Sequence, residues 1–383
     1  MSDYRIRVVD DPTSLDGAAW DALLARQARP TPFMRHAYLA ALHSSGSATA
    51  RSGWTPRFVT LWAGDELAAA APAYLKAHSY GEYVFDWAWA EAYQRHGLAY
   101  FPKLLVAVPF TPVPGSRLLA RDDAARSALL RALQGLAEEQ GLSSAHLLFH
   151  DEADARAVAE AGWMVRHNVQ FHWQRQPAET DFASLLAAMQ RDKRKKISQE
   201  RRRVAEAGIT FRVAEGAAID KGLWDFFYRC YTLTYRAHHS TPYLSRDFFA
   251  RMARTMPAHW VMFVAERDGA PIAASLVALD RGEGVAYGRY WGALEHVPCL
   301  HFEACYYQPL AWCLAQGLRR FEGGAQGEHK MARGLLPVET ASAHWLAHPA
   351  FAQAVDDFLQ REGEGVAAYV DELRERSPFK SAG

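Results

Sequence analysis

Cysteine is scarce in this chain: Cys230, Cys299, Cys305 and Cys313 are the only four in 383 residues, all in the second half and none in a CxxC pair. That spacing builds neither a disulfide framework nor a zinc-finger ligand set, so buried free thiols are expected. Net charge is missing too, with 43 basic residues against 43 acidic ones. No global field recruits nucleic acid or an anionic membrane, and any such partner must be met by a local patch. Long apolar runs are absent: LAAAAPAYL is far too short to span a bilayer, and the opening MSDYRIRVVDD lacks the apolar core of a signal peptide. The expectation is a cytoplasmic protein with no membrane insertion.

Half of the residues are apolar, and the length suffices for two domains that each bury a core. Turn signals and periodicity predict a strand at residues 4–9, helices at 15–27 and 35–43, and a hairpin closed by Gly64 and Asp65. A helix at 122–140, the strand SSAHLLFH, a short helix closed by Gly162 and the strand WMVRHNVQFHWQ follow. Phe182, Leu185, Leu186, Met189, Ile197 and Val204 share helical spacing, which predicts one long amphipathic helix ending near Gly208. After the strand ITFRVAE and helices at 223–238 and 246–256 comes a second hairpin, turning at Asp268 and Gly269. The two hairpins, about 205 residues apart along the sequence, share an acidic-glycine turn and an alanine-rich second strand. Such repetition suggests a duplicated domain. Two helices, a hairpin, then further strands and helices is the element order of a GNAT-type acyltransferase. The predicted fold class is therefore α+β, two tandem GNAT-like domains at 1–178 and 179–383, each a mixed, mostly antiparallel sheet flanked by helices.

The chemistry concentrates in residues 284–345. There GAQGEHK follows the strand-like LRRFE, so Glu328, His329 and Lys330 emerge at a strand end. Glu328 or His329 could accept an amine proton, with Lys330 and Arg289 steadying a carbonyl oxygen; both acids and histidines beside glycines also brace loops. Tyr290, Trp291, His301, Glu303, Gln326 and Arg333 are candidate substrate contacts, although His301 and Glu303, two apart, cannot face the same way on a regular helix. A second polar group, Lys76, His78, Tyr80, Glu82, Asp86, Tyr93 and Lys103, is expected on the acceptor side. His344 and His348 stand four apart but have no third ligand nearby, so no metal site is expected. From Arg191 to Arg203 the chain carries eight basic and two acidic residues, either a solvated helix face or a contact for phosphates.

The phrases YLKAHSYGEYVFDWAWAEAY, YFPKLLVAVPFTPVPGSR, YGRYWG, LHFEACYYQ, FEGGAQGEHKMARG and SPFK resemble the FemAB-like N-acyltransferases of bacteria, a family associated with peptidoglycan biosynthesis or recognition. The RDKRKKISQERRRVAEAGITFRV segment is similar to the helix and strand that open the second domain of Fem-type aminoacyl transferases. The resemblance implies N-acyl or aminoacyl transfer to an amine on a peptide, cell-wall precursor or small molecule in an interdomain cleft. The alternative is a non-catalytic muropeptide-binding module on the same fold. No cofactor is fixed; the donor is aminoacyl-tRNA or acyl-CoA. The Gln/Arg-x-x-Gly-x-Gly/Ala loop that holds the coenzyme A pyrophosphate in GNAT enzymes is absent after YGRYWG, and the Arg191 to Arg203 helix is the expected tRNA contact.

Overall fold

A computed structural model describes residues 4–325 and 327–380, without the side chain of Ala325. By internal contacts the chain forms two compact units, Met1–Asn168 with Glu339–Ala368, and Val169–Val338 with Tyr369–Gly383. This differs from the single cut at residues 178/179 suggested by the sequence. The first unit gains its second segment because Ala341 to Leu346 pair with the strand Ser144–His150. Leu346, Val355 and Leu359 then pack with Trp89, Tyr93 and Tyr100, contacts between distant stretches that no local pattern reveals.

In the first unit the strands Arg5–Val9, Phe58–Ala63, Glu66–Ala71 and Leu119–Ala120 form an antiparallel sheet in that order. Trp54–Pro56, Ala73–Lys76, Lys103–Val106, Ser144–His150 and Leu336–Leu346 pair successively, with only Lys103–Val106 and Ser144–His150 parallel. The alanine-rich second hairpin strand is buried from Leu67 to Ala71, and its small side chains let the helices Gly17–Ala25 and Asp123–Glu139 lie close against it. Aspartates open these helices as the capping rule demands: Asp16 and Asp122 each accept a first-turn amide.

In the second unit Ile209–Glu215, Trp260–Arg267, Ala270–Asp280 and Val285–Ala293 pair antiparallel in sequence order. Arg320–Ala325 then adds in parallel to Val285–Ala293 and antiparallel to Gln170–Gln174. Both hairpins therefore hold the same place: in each unit a leading strand pairs with the first hairpin strand. The helices are Phe182–Ala188, Arg191–Glu206, Lys221–Ala237, Arg246–Thr255 and a helical stretch over residues 300–315. The one long helix predicted from Phe182 onward is two. Met189 is extended (φ −78°, ψ 156°) and bridges to Phe379, while the Gln190 amide bonds to Pro378 at 2.9 Å. Helical spacing persists across the break because Leu185, Met189 and Ile197 all enter one core with Phe263, Leu310 and Phe321. Among the described residues no helix is long and apolar enough to cross a membrane.

Gly292 shows how closely the second unit is packed. A Cβ there would overlap the main-chain carbonyl of Cys230 on the helix Lys221–Ala237, whereas one at Gly135 meets nothing within 4 Å. Gly292→Ala should cost about 1–3 kcal/mol through overpacking, while Gly135→Ala, inside the helix Asp123–Glu139, should stabilise by up to about 1 kcal/mol. Thermal unfolding of both variants checks this, and a Gly292→Ala protein as stable as the parent would refute the close approach.

Candidate functional site

The site grows from a parting of two strands. Val285–Ala293 and Arg320–Ala325 run in parallel register from Val285 opposite Arg320 to Tyr287 opposite Glu322, and no further pair is made among the described residues. On its other edge Val285–Ala293 bulges: Val277 faces Gly288 and Leu276 faces Tyr290, which leaves Arg289 as the extra residue. Bulges re-aim side chains beside active sites. Glycines make the parting possible. A Cβ at Gly323 would lie 3.0 Å from the Phe171 carbonyl oxygen and overlap Leu335, and one at Gly288 would lie 3.1 Å from the Phe321 ring.

Between the strands lies a cavity of about 140 Å³, walled by Ser275, Arg289, Tyr290 and Trp291 on the sheet side and by His301, Cys305 and Tyr306 on the helix side. The helix side is irregular. An α-turn Leu300–Phe302 runs into a π-helical segment Glu303–Tyr307 and then the α-helix Gln308–Ala315. The wider π turn, a feature common at functional sites, gives Cys305 and Tyr306 to the cavity while Glu303 and Tyr307 meet the helix Arg191–Glu206.

Several polar groups converge here. The Tyr306 hydroxyl lies 3.2 Å from His329 Nε2, and burial pushes its pKa up, so the phenol keeps its proton. His329 is pushed down by burial and by the charges of Arg333 and Lys330. His301, open to solvent on one side, is pushed down further by desolvation and then by His329, Arg333 and Lys330. Both imidazoles are therefore neutral at neutral pH and can accept a proton. Arg289 Nη2 donates to the Tyr290 hydroxyl at 3.1 Å. Lys330 is buried, donates to the Gly324 carbonyl at 3.1 Å, and is lowered to about 8 by burial.

The predicted site residues divide in space. Arg289, Tyr290, Trp291 and His301 line the cavity; His329 joins it through Tyr306, and Lys330 sits behind. Glu328 does not enter it. Its carboxylate, about half exposed, accepts from the Tyr369 hydroxyl at 2.6 Å. Glu303 accepts from Arg201 and Gln308, and Arg333 from its buried place binds Glu200; both face the Arg191–Glu206 helix. Gln326 lies outside the described residues. Sequence reasoning missed Ser275, Tyr306 and Glu200, because neither a π segment nor a buried acid inside a basic run has a local signature.

The second predicted group belongs to the first unit and is largely a buried ion network. Lys103 Nζ bonds Glu82 at 2.8 Å and Ser79 at 3.0 Å, and also Asp86. The Tyr100 hydroxyl donates to Asp86 at 2.6 Å and approaches His146, whose Nδ1 lies 2.7 Å from that of His344. Burial raises Glu82 to about 7 against the pull of Lys103. Burial acts on Asp86 the same way, but there the Lys103 ammonium wins and holds it low. Lys76 lies 3.8 Å over the Trp54 ring and is lowered to about 7 by burial. Tyr93 packs with Tyr100 and Phe351, His78 is half-buried, and Tyr80 is exposed. His344 stands in a strand, so its i, i+4 relation to His348 is not a helical pairing.

A coenzyme A pyrophosphate, which a GNAT-like fold implies, finds no cradle after the strand Val285–Ala293. The turn LEHVPC has no glycine, and the amides of Leu300, Phe302 and Glu303 bond to Val297 and Cys299 carbonyls. These residues do not fit a diphosphate.

Among solved structures the chain is similar to FemX, with a TM-score of 0.55 at 10% identity over 89% of this chain and 98% of that one. L-PGS from Bacillus licheniformis gives 0.55 at 12% identity, covering 92% and 99%. A conserved protein of unknown function from Bacteroides thetaiotaomicron VPI-5482 gives 0.51 at 11%, covering 89% and 100%. At such identities the likeness shows the fold, the α+β arrangement of tandem GNAT-like units that the element order predicts. No curated protein matches by sequence. The chain belongs to the FemAB-like family, described as peptidoglycan biosynthesis/recognition, which it matches over residues 11–381.

Two expectations test this electrostatic picture. Lys103→Met leaves two buried carboxylates without their cation and should cost about 3–5 kcal/mol, read as a lowered urea midpoint; an unchanged midpoint would contradict the network. For Lys330, the folded amine loses its proton near pH 8 and the unfolded one near 10.5. Between these values the unfolded state binds more protons, so this group's contribution to stability rises with pH there. Lys330→Met should thus raise Tm at pH 7, with a gain that shrinks from pH 8 upward; a gain independent of pH would contradict the burial.

Proposed function

We propose that the protein transfers an aminoacyl group from aminoacyl-tRNA to an amine on a peptide or cell-wall precursor, with the reaction in the wedge of the second unit. The observation that carries this reading is the cavity at the strand parting, where a protonated phenol (Tyr306) contacts a neutral imidazole (His329). In the proposed step the acceptor amine attacks the ester carbonyl. Arg289 donates to the developing oxyanion, while the Tyr306 hydroxyl accepts the amine proton and passes its own to His329. The C–N bond forms, the ester C–O bond breaks, and the tRNA ribose oxygen leaves with the proton that His329 returns through Tyr306. Membership of the FemAB-like family supports a cell-wall acceptor, and the poor fit of the Leu294–Cys299 turn to a diphosphate favours tRNA over acyl-CoA.

The helix Arg191–Glu206 supports a tRNA donor as well. Ile197, Glu200 and Val204 are its buried face, while Lys195, Lys196, Arg202 and Arg203 are exposed. The chain has no net charge, so phosphate must be met by a local patch, and this helix carries eight basic residues between Arg191 and Arg203.

Purified protein, mixed aminoacyl-tRNA and a muropeptide precursor should yield an amide-linked product, and His329→Ala should slow its formation by about 10²-fold or more. Replacing Lys195, Lys196, Arg202 and Arg203 by Gln should weaken tRNA binding and flatten the slope of log K against log salt by about 0.7–0.9 for each phosphate that is no longer neutralised. A protein that binds the precursor without transferring anything is a binding module. One that binds tRNA no better than a neutral polymer uses another donor.

A further inference from the structure

Glu200 is the acid in the middle of the basic run, and it is buried. It shares the inward face of its helix with Ile197 and Val204, at spacings of three and four. Its carboxylate accepts from Arg333 Nη2 at 3.0 and 3.1 Å and from the Tyr307 hydroxyl. Arg333 uses the other arm of its fork on the far side: Nη1 donates to the His329 carbonyl at 2.6 Å, and the guanidinium lies 3.5 Å over the Phe302 ring. The next residue, Arg201, donates to Glu303 at 3.1 and 3.3 Å. Two adjacent residues of one helix thus hold both ends of the π segment, Glu303 and Tyr307, and through Arg333 the turn that carries His329. Cys305 and Tyr306, between those anchors, are what the π segment shows to the cavity.

A buried ion pair contributes little net stability, because desolvation offsets its attraction, and an apolar pair of similar volume often does as well. Its distinctive property is geometric. A guanidinium fixes two partners in one plane, which a lysine cannot do. We infer that Glu200 and Arg333 are positioning residues of the wedge: the pair, with Arg201–Glu303 beside it, sets the contact between Tyr306 and His329 from the helix whose outer face is cationic. Arg333 is then a support behind the site and not a substrate contact. The kinetic part of this inference rests on the proposed transfer; the structural part does not.

The test uses the full chain with the double variant Glu200→Leu/Arg333→Met, which removes both charges and so avoids stranding one, and separately with Arg333→Lys. Hydrogen–deuterium exchange of residues 301–307 and 328–334 should quicken by about tenfold or more in both variants, while the strand Trp260–Arg267 keeps its protection. In the transfer assay kcat should fall about tenfold or more with KM for the acceptor unchanged. Unchanged exchange in both segments would overturn the inference, as would a raised KM with kcat retained, which marks a direct substrate contact. Quickening spread evenly over the unit, the mark of a merely structural pair, would also overturn it. If the parent protein transfers nothing, the exchange data still decide the structural part while the proposed function fails alone.

Discussion

The second unit depends on one backbone constraint, that two parallel strands pair through Tyr287 and Glu322 and then separate. Parallel strands inside a sheet normally satisfy each other along their shared length, so ending the ladder early exposes polar main chain that a ligand or helix must meet. Gly288 and Gly323 allow the close approach on either side. The bulge at Arg289 turns a charged side chain into the gap, and the π segment opposite supplies Tyr306. Each is a local departure from regular geometry of the kind that folds keep at sites and avoid in cores.

The fold was legible where the rule is local. Both hairpins lie at their acidic-glycine turns because such turns match strand twist, and the lead strands Arg5–Val9 and Ile209–Glu215 take matching places beside them. Arg289, Tyr290, Trp291 and His301 could be singled out because polar and aromatic residues among glycines at a strand end are rare in cores. What stayed hidden was set by distant partners. The break at Met189 needs Phe379, some 190 residues away. Glu328 looked as exposed to chemistry as His329 until Tyr369, on the helix Pro349–Glu375, claimed its carboxylate. Glu200 looked like one more charge on a solvated face.

Two buried charge networks divide the labour differently. In the first unit Lys103 pairs with Glu82 and Asp86 beside Ser79 and Tyr100, all of them buried, so its loss should fall on stability. In the second, the Glu200–Arg333 pair reaches outward to the His329 carbonyl and the Phe302 ring, so its loss should fall first on geometry. The same interaction, a desolvated ion pair, thus has separate consequences according to what its spare hydrogen bonds hold.

Everything proposed for the second unit turns on the parting between Gly288 and Gly323 receiving the acyl donor. A crystal structure with a non-hydrolysable donor mimic, a CCA trinucleotide whose terminal adenosine carries alanine through a 3′-amide, decides this without relying on turnover. The aminoacyl carbonyl should lie in the wedge, within hydrogen-bond distance of the Arg289 guanidinium. Density for the aminoacyl group elsewhere, for instance in the groove beside Leu294 and Val297, with the wedge left to solvent, would contradict it.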